Sequence, residues 1–107
     1  MQNTAITTAA DGTTLFYRTW GTQTQGPRLA LVHSLAMDGA FWDRVAKELQ
    51  DEMQILALDC RGHGKSGNAP GPYDVGLFAD DLAAVLNHAV WPDSVVAGAS
   101  MGGCVAL

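Results

Sequence analysis

Three short apolar runs, Leu29-Ala30-Leu31-Val32, Met53 to Leu58 and Ser94 to Ala97, each give way to a turn-rich stretch and then to helically spaced residues. Apolar runs this short, bounded by Gly, Pro and Asp, read as buried strands rather than buried helices. After the first run, Phe41, Trp42, Val45 and Leu49 recur at helical spacing, with Asp38 as cap. Asp43 to Lys47 and Arg44 to Glu48 are i,i+4 pairs on the solvated side of that helix. After the second run, Asp74 can cap a helix whose apolar face is Val75, Phe78, Leu82, Val85, Leu86 and Ala89, with Pro92 marking its end. Strands joined through single helices run parallel, with right-handed crossovers. Ahead of them, Thr4 to Ala9 and Thr13 to Trp20 flank Ala10-Asp11-Gly12, an antiparallel hairpin with a D-G turn. The expected class is α/β: a leading antiparallel hairpin, then parallel strands with crossover helices.

Hydrophobic residues make up 48% of the 107-residue chain, enough for a core, and no repeat, linker or low-complexity segment divides it. Residues 1–107 are therefore read as part of a single domain. The net charge is −5, and Arg18, Arg28, Arg44, Lys47, Arg61 and Lys65 are scattered, which argues against nucleic acid or anionic lipid as partner. The polar start Met1-Gln2-Asn3-Thr4 has no signal-peptide character and no apolar stretch reaches membrane-spanning length, so a cytoplasmic protein is expected. Cys60 and Cys104 lack metal-ligand spacing and read as reduced thiols, Cys104 as a packing residue. Neither a metal nor a cofactor is expected.

The third apolar run ends in Gly98-Ala99-Ser100-Met101-Gly102. A strand that turns at once into a helix forces its apex residue into a strained backbone and needs small neighbours. Gly98 and Gly102, two residues either side of Ser100, supply that room, and Gly103 is expected to let the new helix pack closely. The Ser100 hydroxyl then stands clear at the strand's carboxyl end, while the Met101 amide at the helix start points where an oxyanion would develop. The same pattern also fits a glycine-rich turn without chemistry.

Two further segments follow the carboxyl ends of strands, where sites form in such sheets. In His33-Ser34-Leu35-Ala36-Met37-Asp38, the Leu35 amide can serve the same oxyanion, and the His33 imidazole is expected to hold the loop's shape. In Asp59-Cys60-Arg61-Gly62-His63-Gly64-Lys65-Ser66, Asp59 can accept backbone N–H bonds, Gly62 and Gly64 permit positive φ, and Arg61 can tie carbonyls across the loop. An active reading makes His63 a general base or Arg61 an anion clamp; the simpler one is a rigid turn beneath the site. His88, on the polar side near its helix's end, complements the helix dipole and needs no further role.

In this order, His33-Ser34, then Asp59-x-Arg61-Gly62-x-Gly64-x-Ser66, then Gly98-x-Ser100-x-Gly102-Gly103 resemble the first half of an α/β-hydrolase. Ser34-Leu35-x-x-Asp38, the Asp59 to Ser66 motif and Gly71-Pro72-Tyr73 are similar to the 3-oxoadipate enol-lactonase group and related cofactor-free esterases. The resemblance implies that Ser100 is the nucleophile, that Leu35 and Met101 form the oxyanion hole through their amides, and that His33, Ser34, Gly98 and Gly102 support it. It implies hydrolysis of a small carboxylic ester or lactone through an acyl-enzyme. Ser34 departs from the Gly that usually follows His in the superfamily, and His33 from the Asn usual in the enol-lactonase group. Serine at position 100 argues against the branches that attack with a carboxylate. In this fold the acid and the histidine follow the nucleophile, and only seven residues follow Ser100 here. The chain alone is therefore expected to be inactive and poorly stable, with Ser94 to Ala97 as an open edge, and to need a C-terminal half as continuation or second chain. An acyltransferase or perhydrolase with the same elbow, or a non-catalytic binding module, are the alternatives.

Overall fold

The structure, a computed structural model, describes residues 2–21, 27–68, 73–91 and 93–106. Gly71, Pro72, Pro92 and Leu107, to which the sequence reading gave roles or limits, lie outside the described residues. Five strands form one mixed sheet: β1 (Asn3–Thr8), β2 (Thr14–Trp20), β3 (Arg28–Val32), β4 (Gln54–Leu58) and β5 (Val95–Gly98). Their order is β1-β2-β4-β3-β5, with β1 and β2 antiparallel, β2 antiparallel to β4, and β4, β3 and β5 mutually parallel. The hairpin, the parallel strands and the α/β class are those expected. The hairpin turn works as its D-G sequence implies: Gly12 takes φ +88° and Asp11 Oδ1 accepts from the Thr13 amide at 3.0 Å.

β4 is buried from end to end, as the central strand of a sheet covered on both faces must be. Its side chains alternate between two cores. Leu56 and Leu58 join Leu15, Tyr17, Val32, Phe78, Leu82, Val85 and Val105 on one face. Ile55 and Ala57 join Trp20, Leu31 and Ala46 on the other. Each fully buried aliphatic side chain contributes roughly 1.5–3 kcal/mol over exposure.

The connection after β3 differs from the expected helix. Asp38 does cap it, its Oδ1 accepting from the Ala40 amide at 2.9 Å, but the first turn, Gly39–Trp42, is a 3₁₀ helix. Only from Asp43 does it continue as α1 (Asp43–Leu49). A 3₁₀ turn advances about three residues per revolution instead of 3.6, so the buried face is rotated: Ala46 is fully buried, whereas Phe41 and Val45 are exposed.

The second helix, α2 (Val75–His88), starts at Asp74, whose Oδ1 accepts from the Leu77 amide at 2.7 Å. Phe78, Leu82 and Val85 are buried as the spacing predicts, Val75 is exposed, and Asp81 is buried among them. The helix closes with the Trp91 amide on the Leu86 carbonyl and the Val90 amide on that of Asn87, a Schellman motif. Val90 takes the left-handed position at φ +59°, where Gly is usual. β5 leads into α3 (Met101–Ala106), and with β3 on one side only it is one edge of the sheet, with Val95 65% exposed.

Candidate active site

The parallel strands β3, β4 and β5 run out at the same end of the sheet, into His33, Asp59 and Ala99. Ser100 sits at the apex between β5 and α3 with φ +55°, a conformation rare outside Gly, and it is exposed. The turn closes so tightly that a Cβ on Gly98 would overlap the Gly102 carbonyl, and one on Gly102 would overlap that of Val32. Gly103 is different: its nearest contact for an added Cβ is 3.5 Å, ordinary van der Waals distance, so the close approach belongs to Gly102. The amides of Gly102 and Gly103 bind the Ala99 and Ser100 carbonyls, while Met101 leads α3, where helices leave amides without intrahelical acceptors. Cys104, one turn further on, is exposed, not packed as expected.

Beside this turn lies the loop from His33 to Gly39. The Met37 amide bonds to the Ser34 carbonyl at 3.1 Å and Ala36 takes φ +65°, so the chain turns sharply around Leu35. Leu35 is 67% exposed and Met37 is exposed. His33 is fully buried and both of its ring nitrogens are occupied. Nδ1 lies 2.8 Å from the Ser34 carbonyl, which only accepts, so Nδ1 carries the proton; Nε2 then accepts from the Cys60 amide at 2.9 Å. Burial also pushes the His33 pKa down. An imidazole that hydrogen-bonds the loop and holds its shape is what the sequence led one to expect.

The turn after β4 is rigid. Gly62 and Gly64 take φ +77° and +50°. Asp59, fully buried, accepts at Oδ1 from Arg18 Nη1 and the Gly39 amide, both at 2.7 Å, and at Oδ2 from the Lys65 amide at 2.9 Å. Ser66 Oγ donates to the Asp59 carbonyl and accepts from the Phe16 amide at 2.9 Å. Arg61 corrects its expectation: it binds carboxylates, not carbonyls. Its Nε and Nη2 grip Asp81 Oδ2 and Oδ1 at 2.6 and 2.8 Å, and its Nη1 reaches Asp11 Oδ2 at 2.7 Å. Those two carboxylates raise the guanidinium's already high pKa, and Arg61 in turn holds the Asp11 carboxyl far below the usual carboxylate range. Arg61 is thus committed and is no anion clamp.

The remaining histidines are also engaged. His63 Nδ1 lies 3.0 Å from the Arg61 carbonyl, and its ring stands between those of His33 and Phe78. His88 has the partner the sequence did not suggest, the Tyr17 hydroxyl, 2.7 Å from its Nδ1. Burial pushes the Cys60 thiol up to about 12, leaving it inert. Among the described residues no group of three or more His, Cys, Asp or Glu is placed to hold a metal ion, and no helix is long and apolar enough to cross a membrane. A cleft of about 430 Å³ between Trp20, Gln54 and Trp91 lies at the opposite end of the sheet, where β4 begins.

Residues 27–107 match the family model described as the alpha/beta hydrolase fold. The chain belongs to this family. Among its relatives is 3-oxoadipate enol-lactonase 2 of Acinetobacter baylyi, 34% identical over 97 residues, which cover 91% of this chain and 36% of that protein. A bifunctional esterase/perhydrolase of Acinetobacter calcoaceticus is 32% identical over 97 residues, covering 90% of this chain and 35% of that protein. The crystal structure of a hydrolase from Pseudomonas aeruginosa superimposes with a TM-score of 0.90 at 32% identity, covering 96% of this chain and 38% of that one. This α/β-hydrolase chain thus spans about a third of the length of the relatives it matches.

Proposed function

We propose that the protein carrying this chain hydrolyses a small carboxylic ester or lactone through an acyl-enzyme formed on Ser100. What supports the reading above all is the conformation of Ser100: exposed, at φ +55°, between two glycines that tolerate no side chain, and one residue ahead of a helix. A left-handed serine is a strained feature, and such strain is characteristic of functional apices. The enol-lactonase and esterase names of the relatives supply the substrate class.

Ser100 Oγ attacks the ester carbonyl carbon while a histidine takes its proton. The oxygen that gains the electron pair is held by the amides of Met101 and Leu35. Collapse expels the leaving oxygen, which takes the proton from the histidine, and water then cleaves the acyl-serine by the same steps in reverse roles. Catalytic acid and histidine follow the nucleophile in the chain order of this fold, so this reading assigns both to the C-terminal part of the hydrolase, as a continuation or a second polypeptide. Residues 1–107 alone form neither acyl-enzyme nor product at a useful rate.

A fluorophosphonate probe tests this. The complete protein should be labelled at Ser100, and Ser100→Ala should abolish both labelling and turnover of a small ester. Labelling elsewhere, or full turnover by Ser100→Ala, refutes the reading, and a protein that neither labels nor turns over is a binding module. The intact mass of every polypeptide in the sample identifies the segment that completes the site. A second reading, transfer of the acyl group to hydrogen peroxide to give a peracid, draws support from the relative named an esterase/perhydrolase. Product analysis with water and peroxide in competition separates the two.

A further inference from the structure

Two consecutive residues after β4 hold both ends of the loop that carries Leu35. At its start, the Cys60 amide donates to His33 Nε2 at 2.9 Å. At its end, the Gly39 amide donates to Asp59 Oδ1 at 2.7 Å. Between these two points little packing fixes the chain, since the side chains of Leu35 and Met37 are exposed. The loop's position is therefore set by polar contacts with the turn beneath it. Asp59 is itself anchored from two more directions, by Arg18 Nη1 from β2 and by the Lys65 amide from its own turn.

We propose that Asp59 is a positioning residue for the oxyanion site, acting through Gly39 on the Leu35 amide. This rests on the assignment of Leu35 to the oxyanion hole made above. The three groups that face the Asp59 carboxylate are all donors: a guanidinium and two amides. Only a group that accepts at both oxygens satisfies them. Asparagine has the same shape but turns an NH₂ donor toward either Lys65 or Gly39, so Asp59→Asn loosens the loop without leaving a void. An oxyanion donor acts through its placement at the transition state, and a misplacement of about 1 Å costs on the order of 10²-fold in rate.

Asp59→Asn in the complete protein should therefore lower kcat and the rate of fluorophosphonate labelling of Ser100, per folded molecule, by about 10- to 100-fold, with KM within about twofold of the parent. A merely structural role would lower the melting temperature and leave both rates intact. Parent-like kcat and labelling, within about threefold, overturn the proposal. If Asp59→Asn does not fold, Gly39→Ala serves instead: its methyl would come within 2.6 Å of Arg18 Nη1 and 2.9 Å of Asp59 Oδ1, wedging the clamp from the loop's side. The same loss of kcat supports the clamp, and an unchanged kcat refutes it. A parent that is not labelled at Ser100 sinks the hydrolase reading itself. A labelled parent with an equally labelled Asp59→Asn sinks the clamp alone.

Discussion

Among the described residues Asp59 and Asp81 are the buried carboxylates, and removing Asp81 should cost this fold about 3 kcal/mol. Arg61 is 2% exposed, and Asp81, also 2% exposed, supplies its two-pronged contact at 2.6 and 2.8 Å. Asp81→Ala leaves a buried guanidinium with Asp11 only, whose side chain is 48% exposed. Breaking a buried ion pair from one side costs about 3–5 kcal/mol; the surviving Asp11 contact argues for the lower end, about 3 kcal/mol. With a urea dependence of about 2 kcal/mol per molar, the unfolding midpoint falls by about 1.5 M. Tryptophan fluorescence reports it directly, since Trp20 and Trp91 are buried. Asp11→Ala should move the midpoint far less, because its carboxylate is half in water and screened. Arg61→Met combined with Asp81→Leu should recover most of the loss, since an apolar pair of similar volume leaves no buried charge to desolvate, the remaining Asp11 being half in water. An Asp81→Ala midpoint within about 0.3 M of the parent, equal effects of Asp11→Ala and Asp81→Ala, or no recovery in the double variant would refute the reasoning.

Three further outcomes follow from the geometry. Gly98→Ala should fail to give folded protein, while Gly103→Ala, which meets only ordinary contacts, should be neutral or stabilising by up to about 1 kcal/mol in a thermal melt; equal behaviour of the two contradicts the tight turn. Val90→Gly should raise the melting temperature, relieving about 1 kcal/mol of left-handed strain at the end of α2, and a lower one counts against it. Because burial depresses the His33 pKa, the unfolded chain binds more protons from its ordinary value of about 6.5 downward, so stability present above that pH is lost as pH falls. His33→Asn should flatten the urea midpoint between pH 7.5 and 5.5, and an undiminished slope excludes His33 as its source.

Local chemistry made much of this legible. Asp74 caps α2, Gly62 and Gly64 take positive φ, and Ser100 stands between its two glycines because those residues answer demands of their immediate neighbours. What escaped was long-range or involved a shift of register. Asp81 lies on the apolar face of a helix, where sequence gives no sign that a cation twenty positions earlier waits to meet it. Tyr17 and His88 are 71 residues apart. Ala46 displaced Phe41 and Val45 from the core because a 3₁₀ turn preceded α1, and three residues per turn and 3.6 cannot be told apart over one revolution. Around the candidate site, the three motifs were legible as the segments that follow β3, β4 and β5, but that Asp59 and Cys60 grip both ends of the His33 to Gly39 segment could be seen only once β3 and β4 were side by side.

Arg61 also decides where such a chain can be recombined with a relative. Its guanidinium joins the hairpin turn at Asp11 to the middle of α2 at Asp81, spanning most of the chain. A chimera with a crossover between those positions inherits one or two members of the trio from each parent, and works only if the donor presents the same charges at all three. Exchanges that keep residues 11 to 81 together avoid that incompatibility. The hairpin, although antiparallel and first in the chain, is therefore inherited with α2 and not as a detachable leader.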